Sequence, residues 1–364
     1  MIKKVIISGG GTGGHIFPAI AIADEIKRRN PNAEILFVGA EGKMEMEKVP
    51  AAGYKIEGLP IVGFKRKLAL SNFLLPFKIL GSMIKARKLV KGFQPEVAVG
   101  VGGYASGPTL KAATMLKVPS MVQEQNSFPG KTNKLLAKSV KKICVAYDGL
   151  ERFFPADKIV LTGNPTRKEM VTIEGKESEG YLFYGFDPSK KTVLIIGGSL
   201  GARTLNESVV ANLKELENSG VQVLWQCGKL YHDKLKESLK GVDLGNVKMV
   251  QFITRMDLAY AIADVVISRA GAISVSELCL VKKPTVLVPS PNVAEDHQTK
   301  NAMALVEKNA AILVKDVDSK DKLISEVLQL MSDSVRCAEL REGIASLGKP
   351  NATAEIVDQL EKLV

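Results

Sequence analysis

Cysteine, histidine and aromatic residues are scarce in this chain, and each scarcity removes a class of protein. The four cysteines among 364 residues stand at 144, 227, 279 and 337. They form no C-x-x-C pair, so neither a disulfide framework nor a thiolate metal site is expected. The three histidines, His15, His232 and His297, are as widely separated. Aromatic residues make up 5% of the chain, with one Trp. Without aromatics interleaved among basic residues, nucleic acid is not an expected partner. No apolar run approaches the roughly 18 residues that cross a bilayer. MIKKVIISGGG has too short an apolar part for a secretory signal. These absences lead to the expectation of a cytoplasmic protein with reduced thiols, no metal and no bound cofactor.

What is present is a soluble composition, 46% hydrophobic and 24% charged. The length suggests two domains rather than one. A formal charge of +11 suits an anionic partner, and phosphorylated small molecules and anionic lipid both qualify.

A strand, a glycine turn and a helix recur along the first half. KVIIS at 4–8 reads as a buried strand and leads into Gly9-Gly10-Gly11-Thr12-Gly13-Gly14-His15. The periodicity of PAIAIADEIKRR then predicts an amphipathic helix starting at Pro18 and stopping at Asn30-Pro31. Gly9, Gly11 and Gly14 satisfy G-x-G-x-x-G, so a dinucleotide site is an alternative. The strand at 34–38 ends in Gly39-Ala40-Glu41, beyond the usual place of a ribose-binding acid. His15 stands at the mouth of the turn, where strands end and ligands bind. It is either a general base or a helix-start residue bonded to backbone. Further strands are predicted at 96–101, 119–122, 142–146 and 158–161. The second of two glycine-rich turns is Gly102-Gly103-Tyr104. Ser127–Thr132 resembles the tail of a phosphate-binding loop, but its first glycine would be Gln125, which argues against an ATPase.

The segment 62–90 differs. It combines Phe64, Leu68, Phe73, Leu74, Leu75 and Phe77 with Lys65, Arg66 and Lys67, and Pro76 breaks it. Two readings stand, an interfacial segment on an anionic membrane and a core helix with a basic outer face. After a polar stretch at 172–179 the rhythm restarts, with strands at 192–196, 221–226, 247–252, 284–288 and 311–314. DVVISRAGAISVSE at 264–277 is a strand, a small-residue turn and a helix start carrying Ser274, Ser276 and Glu277. Helix starts suit phosphate, and a first-turn Glu suits either a sugar diol or a capping role. Glu295–Asn301 offers amides and acids to sugar hydroxyls, or is simply an acidic helix start. The fold class expected is α/β, two Rossmann-like doubly wound parallel sheets facing across a cleft, the GT-B layout.

Seven stretches then fall into one ordered pattern: GGGTGGHIFPAIAIADEI, VGVGGYASGP, QEQNSFPGKTN, TGNPTR, IIGGSLGARTLN, SRAGAISVSEL and EDHQTKNA. Between residue 5 and about 305 they resemble the motif set of the MurG family. These are the UDP-N-acetylglucosamine:lipid I N-acetylglucosaminyltransferases of bacterial peptidoglycan synthesis. The resemblance implies an acceptor- and membrane-binding domain at 1–164 and a UDP-sugar domain at 165–340. A C-terminal helix at 341–364 would have the option of packing back on the first domain.

For the donor, UDP-GlcNAc, the resemblance implies Thr12, Gly13, Gly14, Asn126, Arg167, Ser199, Ile253, Ala272, Ser274, Glu277 and Gln298. In that set the 252–253 backbone reads uracil, and Glu277 binds the ribose. Ser199, Arg167 and the 271–274 helix start hold the diphosphate, while Gln298 and Asn126 contact the sugar. For the acceptor, undecaprenyl-linked lipid I, it implies Gly11, Gly14, Gly102, Gly103 and Tyr104 at the diphosphate. The 64–88 segment would lie on the anionic cytoplasmic face of the inner membrane, making the protein peripheral, with other cell-wall synthesis proteins as further partners. The implied reaction is a single inverting displacement by the MurNAc 4-hydroxyl, giving lipid II and UDP. His15 is the first candidate for its base and Glu124 the second. Rival readings are a different GT-B transferase and a non-catalytic dinucleotide-binding regulator.

Overall fold

The computed structural model describes residues 1–61, 75–166 and 171–364. The chain forms two compact units, Met1–Thr166 with Lys349–Val364, and Arg167–Gly348. The divisions expected at 164/165 and 340/341 stand beside these. The helix Ser334–Ser346 runs past the second expected division and stays with the second unit.

The first unit is built on a parallel sheet of β1 (Lys4–Ser8), β2 (Glu34–Ala40), β3 (Lys55–Leu59), β4 (Val97–Gly100), β5 (Ser120–Glu124), β6 (Lys142–Val145) and β7 (Ile159–Leu161). Their order is β3-β2-β1-β4-β5-β6-β7. Val5 lies beside Ile35 on one side and Val97 on the other. Both β4 and β5 are buried along their whole length, which is why β4, VAVG, reads as a continuous run instead of an alternating one. The chain reverses its direction of travel across the sheet between β1 and β4. In open parallel sheets, ligands bind outside the C-terminal ends of the strands at such a switch point. The turns that follow β1 and β4 are the two glycine-rich ones.

Helix α1 spans Gly13–Arg29 and carries Pro18 inside it, so Pro18 does not start the helix as its ring suggested. The proline removes one bond, toward the carbonyl four residues back at Gly14, and the helix continues through it. Its apolar face, with Ile16, Ala19, Ile22, Ala23 and Ile26, packs on the sheet. The last helix, Ala352–Glu361, joins the same core through Ile356, Val357 and Leu360. Arg29 reinforces it, reaching Asp358 at 2.6 Å, Glu361 at 2.9 Å and the Ala354 carbonyl at 2.9 Å. Strand β3 and helix α2 (Glu45–Ala51) were not expected from sequence. Helix α3 covers Leu75–Phe93. Pro76 falls in its first turn, where a missing N–H costs nothing.

The second unit repeats the plan with β8 (Thr192–Ile196), β9 (Gln222–Gln226), β10 (Val247–Val250), β11 (Val265–Ser268), β12 (Thr285–Leu287) and β13 (Ile312–Leu313), all parallel. The order is β10-β9-β8-β11-β12-β13, and the switch lies between β8 and β11. Trp225 is fully buried in this core, and its indole N–H donates to Asn206 Oδ1 at 2.9 Å.

Candidate active site

The turn after β1 is held by contacts on three sides. Thr12 caps α1 with extended backbone, and its carbonyl accepts from the N–H groups of His15 and Ile16, each at 3.1 Å. His15 Nδ1 lies 2.9 Å from the Gly10 carbonyl oxygen. A carbonyl only accepts, so Nδ1 carries a proton, and in the neutral ring Nε2 is the nitrogen that keeps its lone pair. That is the tautomer a general base needs at Nε2. The backbone bond expected of a helix-start residue is thus present, and it is compatible with the general-base reading as well.

The glycines expected at a ligand diphosphate have other neighbours. The Gly11 N–H donates to Glu45 Oε2 at 2.8 Å, so it faces into the protein and not toward a phosphate. Gly102, with φ +97°, lies where a Cβ would come within 2.9 Å of His15 Nε2 and Cδ2. At Gly103, with φ +87°, a Cβ would sit 2.4 Å from the Gly10 oxygen. The absence of side chains at 102 and 103 is thus required by the β1 turn itself. Gly14 meets only ordinary contact with Thr12, and Tyr104 is half exposed.

After β5, Glu124 is 1% exposed. Its Oε1 accepts from the Asn126 N–H and Nδ2, at 3.0 and 3.2 Å, and its Oε2 from the Gly130 N–H and Asn133 Nδ2, at 3.0 and 2.9 Å. Four donors occupy the lone pairs a base would use, so Glu124 shapes the 125–130 turn. Behind it Gln123 Nε2 donates to Asn164 Oδ1 at 2.9 Å, and Asn164 Nδ2 donates to the Gln125 carbonyl at 3.0 Å.

In the second unit the helix Ala272–Val281 starts directly after β11, with Gly271 as its extended cap and no side-chain capping bond. Its first intrahelical bond runs from Val275 N–H to the Gly271 carbonyl. The N–H groups of Ala272, Ile273 and Ser274 form the first turn, the end of a helix that attracts anions. Ser276 bonds back to the Ala272 carbonyl at 3.1 Å and is no cap. Glu277 is buried in the next turn. Arg269, in the same loop, points elsewhere, bonding the Val288 carbonyl at 3.0 Å and the Asp316 carboxylate.

The 252–253 backbone was expected at a uracil base. The Ile253 N–H donates to Gln226 Oε1 at 2.8 Å, which leaves the carbonyls of this stretch, not that N–H, for a base edge. Gln298 Oε1 accepts from the Ser290 N–H at 2.8 Å, so its amide presents Nε2 as a donor. Glu295 and Asp296 before it both adopt left-handed backbone, with φ +54° and +53°. Ser199 is exposed in the turn after β8, its carbonyl accepting from the Lys229 N–H.

Arg167, Phe64, Lys65, Arg66, Leu68, Phe73 and Leu74 lie outside the described residues, and Leu75 and Phe77 are described only as backbone of α3. Asn126 belongs to the first unit and Gln298 to the second. None of the four thiols is a candidate nucleophile. Burial raises all of them, pushing Cys144 and Cys279 up to about 12. Among the described residues no helix is long and apolar enough to cross a membrane.

Sequence reasoning missed Glu45, the Gln123–Asn164 amide pair and the Arg269–Asp316 tie. In each case the partner lies far away along the chain. The one available signal was a lone acid or amide close to a glycine turn.

The N-terminal domain of glycosyltransferase family 28 matches residues 5–145, and its C-terminal domain matches residues 192–359. A protein of Parabacteroides distasonis is 54% identical over 361 residues, covering 99% of this chain and 98% of its own. One of Flavobacterium psychrophilum is 53% identical over 363 residues, covering 99% and 98%. Both are named UDP-N-acetylglucosamine–N-acetylmuramyl-(pentapeptide) pyrophosphoryl-undecaprenol N-acetylglucosamine transferase. The crystal structure of MurG from Acinetobacter baumannii superposes with a TM-score of 0.81 at 30% identity, over 99% of each chain. The calicheamicin glycosyltransferase CalG4, at 14% identity and a TM-score of 0.68, shares the fold.

Proposed function

The chain belongs to glycosyltransferase family 28, and from that premise we propose how its residues carry out the transfer for which its relatives are named. The protein moves N-acetylglucosamine from UDP-N-acetylglucosamine to the N-acetylmuramyl sugar of a pentapeptide pyrophosphoryl-undecaprenol acceptor. In our reading the acceptor 4-hydroxyl attacks the anomeric carbon from the face opposite UDP, and configuration inverts. His15 Nε2 takes the hydroxyl proton as the C–O bond forms, and the diphosphate departs with the bonding electrons. The observation that carries this assignment is the bond from His15 Nδ1–H to the Gly10 carbonyl. It orients the imidazole at the switch point of the first sheet so that the neutral ring has its free nitrogen at Nε2. Glu124, with both oxygens engaged, supports the turn that presents Asn126.

The second unit suits the donor. The N–H groups at the start of the Ala272–Val281 helix, with Ser199 and Arg167, would face the diphosphate. Negative charge grows there as the bond breaks, so the helix start stabilises the transition state more than the ground state. Glu277 would accept from the ribose hydroxyls, the Ile253 carbonyl from uracil N3–H, and Gln298 Nε2 would donate to a sugar hydroxyl. Thr12, Gly13 and Gly14 stay assigned to substrate contact in the first unit.

We further assign the protein to the cytoplasmic face of the membrane that holds its lipid-linked acceptor. Exposed Ile79, Leu80 and Ile84 on α3, among Lys78, Lys85 and Lys88, support this reading. The reaction is tested with labelled UDP-N-acetylglucosamine and a short-chain lipid I analogue, following label into the lipid-linked product. Transfer from UDP-GlcNAc, with little from UDP-glucose, is expected. UDP binding without transfer would point to another acceptor, and folded protein that binds no UDP would overturn the donor assignment.

A further inference from the structure

Glu45, the first residue of α2, is a carboxylate with zero exposure. Its hydrogen bonds go to backbone, with Oε2 accepting from the Gly11 N–H at 2.8 Å and Oε1 from the Ala40 N–H at 3.0 Å. Two glycines make room for it. A Cβ on Gly10 would lie 2.1 Å from Glu45 Oε1, and one on Gly39 would lie 2.6 Å from Glu45 Cγ.

The Gly11 N–H and the Gly10 carbonyl are the two ends of a single peptide group. One end donates to Glu45, and the other accepts from His15 Nδ1 at 2.9 Å. A peptide is planar and stiff, so fixing its N–H fixes the direction of its carbonyl. An anionic acceptor at the N–H end also polarises the group and strengthens the bond made by the oxygen, as successive hydrogen bonds in a buried chain do. Gly103 closes on the same peptide, since a Cβ there would strike the Gly10 oxygen.

We propose that Glu45 is a positioning residue for His15, acting through the Gly10–Gly11 peptide. The carboxylate holds the peptide, the peptide holds Nδ1–H, and Nε2 is left aimed and unprotonated. This is the base-and-orienter logic of acyl-transfer enzymes with a peptide group inserted between the two side chains. The inference rests on the assignment of His15 as the base.

The test is a double-mutant cycle on the full-length enzyme, using Glu45→Gln and His15→Ala, read as kcat, KM for each substrate, and UDP affinity. Glu45→Gln keeps the side-chain shape but turns an NH2 group against one of the two backbone donors. In the native background it is expected to lower kcat by roughly tenfold or more, a fraction of what a general base supplies. UDP affinity, whose nucleotide and diphosphate contacts are assigned to the second unit, is expected to stay the same. In the His15→Ala background the same substitution is expected to cause no further loss, because the two residues act as a unit. Additive losses would overturn the proposal and leave Glu45 as a support for the fold. Near-normal kcat in His15→Ala alone would sink the base assignment and the proposal together, a different pattern from additivity. Should Glu45→Gln fail to fold, nitrogen-15 spectra of the native enzyme decide. A protonated Nδ1 with a downfield, exchange-protected Gly11 amide is expected. An Nε2–H tautomer, or a fast-exchanging Gly11 amide, would refute the relay.

Discussion

Gly102→Ala places a methyl group against the proposed base without altering any side chain assigned to substrate. The native φ is +97°, and the added Cβ would stand 2.9 Å from both Nε2 and Cδ2 of His15. Alanine in left-handed backbone costs about 1–2 kcal/mol. For a unit of this size that lowers the melting temperature by roughly 2–8 °C. Relief of the contact requires the imidazole to move, and the ring is tethered at Nδ1 to the Gly10 carbonyl. Rotation therefore breaks the bond that fixes the tautomer, while staying in place leaves the methyl beside the reacting nitrogen. Either route removes most of the base's contribution, so turnover should fall by roughly 10²-fold. Gly53→Ala is the control. Gly53 has φ +85° and nothing within 4 Å of an added Cβ, so it carries the same backbone penalty far from the ring. The assay is label transfer from UDP-GlcNAc to a lipid I analogue at saturating substrates, with thermal unfolding and UDP binding measured beside it. If Gly102→Ala and Gly53→Ala lose the same stability and both keep near-normal turnover, the position of the His15 ring does not limit catalysis, and the base assignment is wrong.

Glu277→Ala should raise the donor KM by about tenfold or more through loss of charge-assisted bonds to the ribose, and an unchanged KM would remove Glu277 from the donor site. Glu25 should make the first unit acid-sensitive. The Arg28 hydrogen bond, opposed by burial and aided by Arg29, holds its carboxyl down at about 2. The folded value lies below the unfolded one, so the stabilisation is complete above roughly pH 4.3 and is lost as pH falls toward 2. Glu25→Gln should flatten the dependence of stability on pH across that window, and identical slopes for the two proteins would contradict the pairing. Replacing Lys65, Arg66 and Lys67 by Gln should weaken sedimentation with anionic vesicles, by about 1 kcal/mol for each charge at the surface; unchanged sedimentation would argue for a solvated basic face.

The strands legible in the sequence are those whose burial on both faces wrote an unbroken apolar run. Val193–Ile196 and Val97–Val99 are cases of this kind. Strand β3, KIEGL, pairs with β2 alone at the sheet edge and offers only Ile56 and Leu59 as large apolar residues, so no period stood out. Helix α2 was hidden by Pro50 inside it and by a charged sequence that looks solvated. That second feature also concealed Glu45. EGKMEMEK reads as surface, yet one of its acids is fully buried 34 residues along the chain from its partner Gly11. The site shows the same division. The placement of His15 and of the helix start at 272 was legible because local order alone puts them after strands, and Glu277 follows one turn later. The tautomer of His15, the orientation of Gln298 and the engaged N–H of Ile253 depend on partners that only the folded chain brings close.

Those partners change how a glycine-rich turn should be interpreted. A run of glycines after a strand suggests phosphate, on the argument that backbone must approach a ligand closely. Here Gly10 and Gly39 make way for Glu45, Gly102 for the His15 ring and Gly103 for the Gly10 carbonyl. Protein groups claim all four positions. Gly11 and Gly14 have room for a side chain, but the Gly11 N–H is turned toward Glu45. What remains for an acceptor diphosphate is the start of α1, where the first-turn N–H groups of Gly13 and Gly14 have no intrahelical partner. On that proposal the anion would meet Gly13 and Gly14, of which Gly14 was already expected at the acceptor diphosphate. An anion there would lie beside His15, two residues further along the same helix, where the proposal brings the hydroxyl to be deprotonated. On that proposal the glycines serve mainly to build and aim the base, and the helix that carries it would receive the charge.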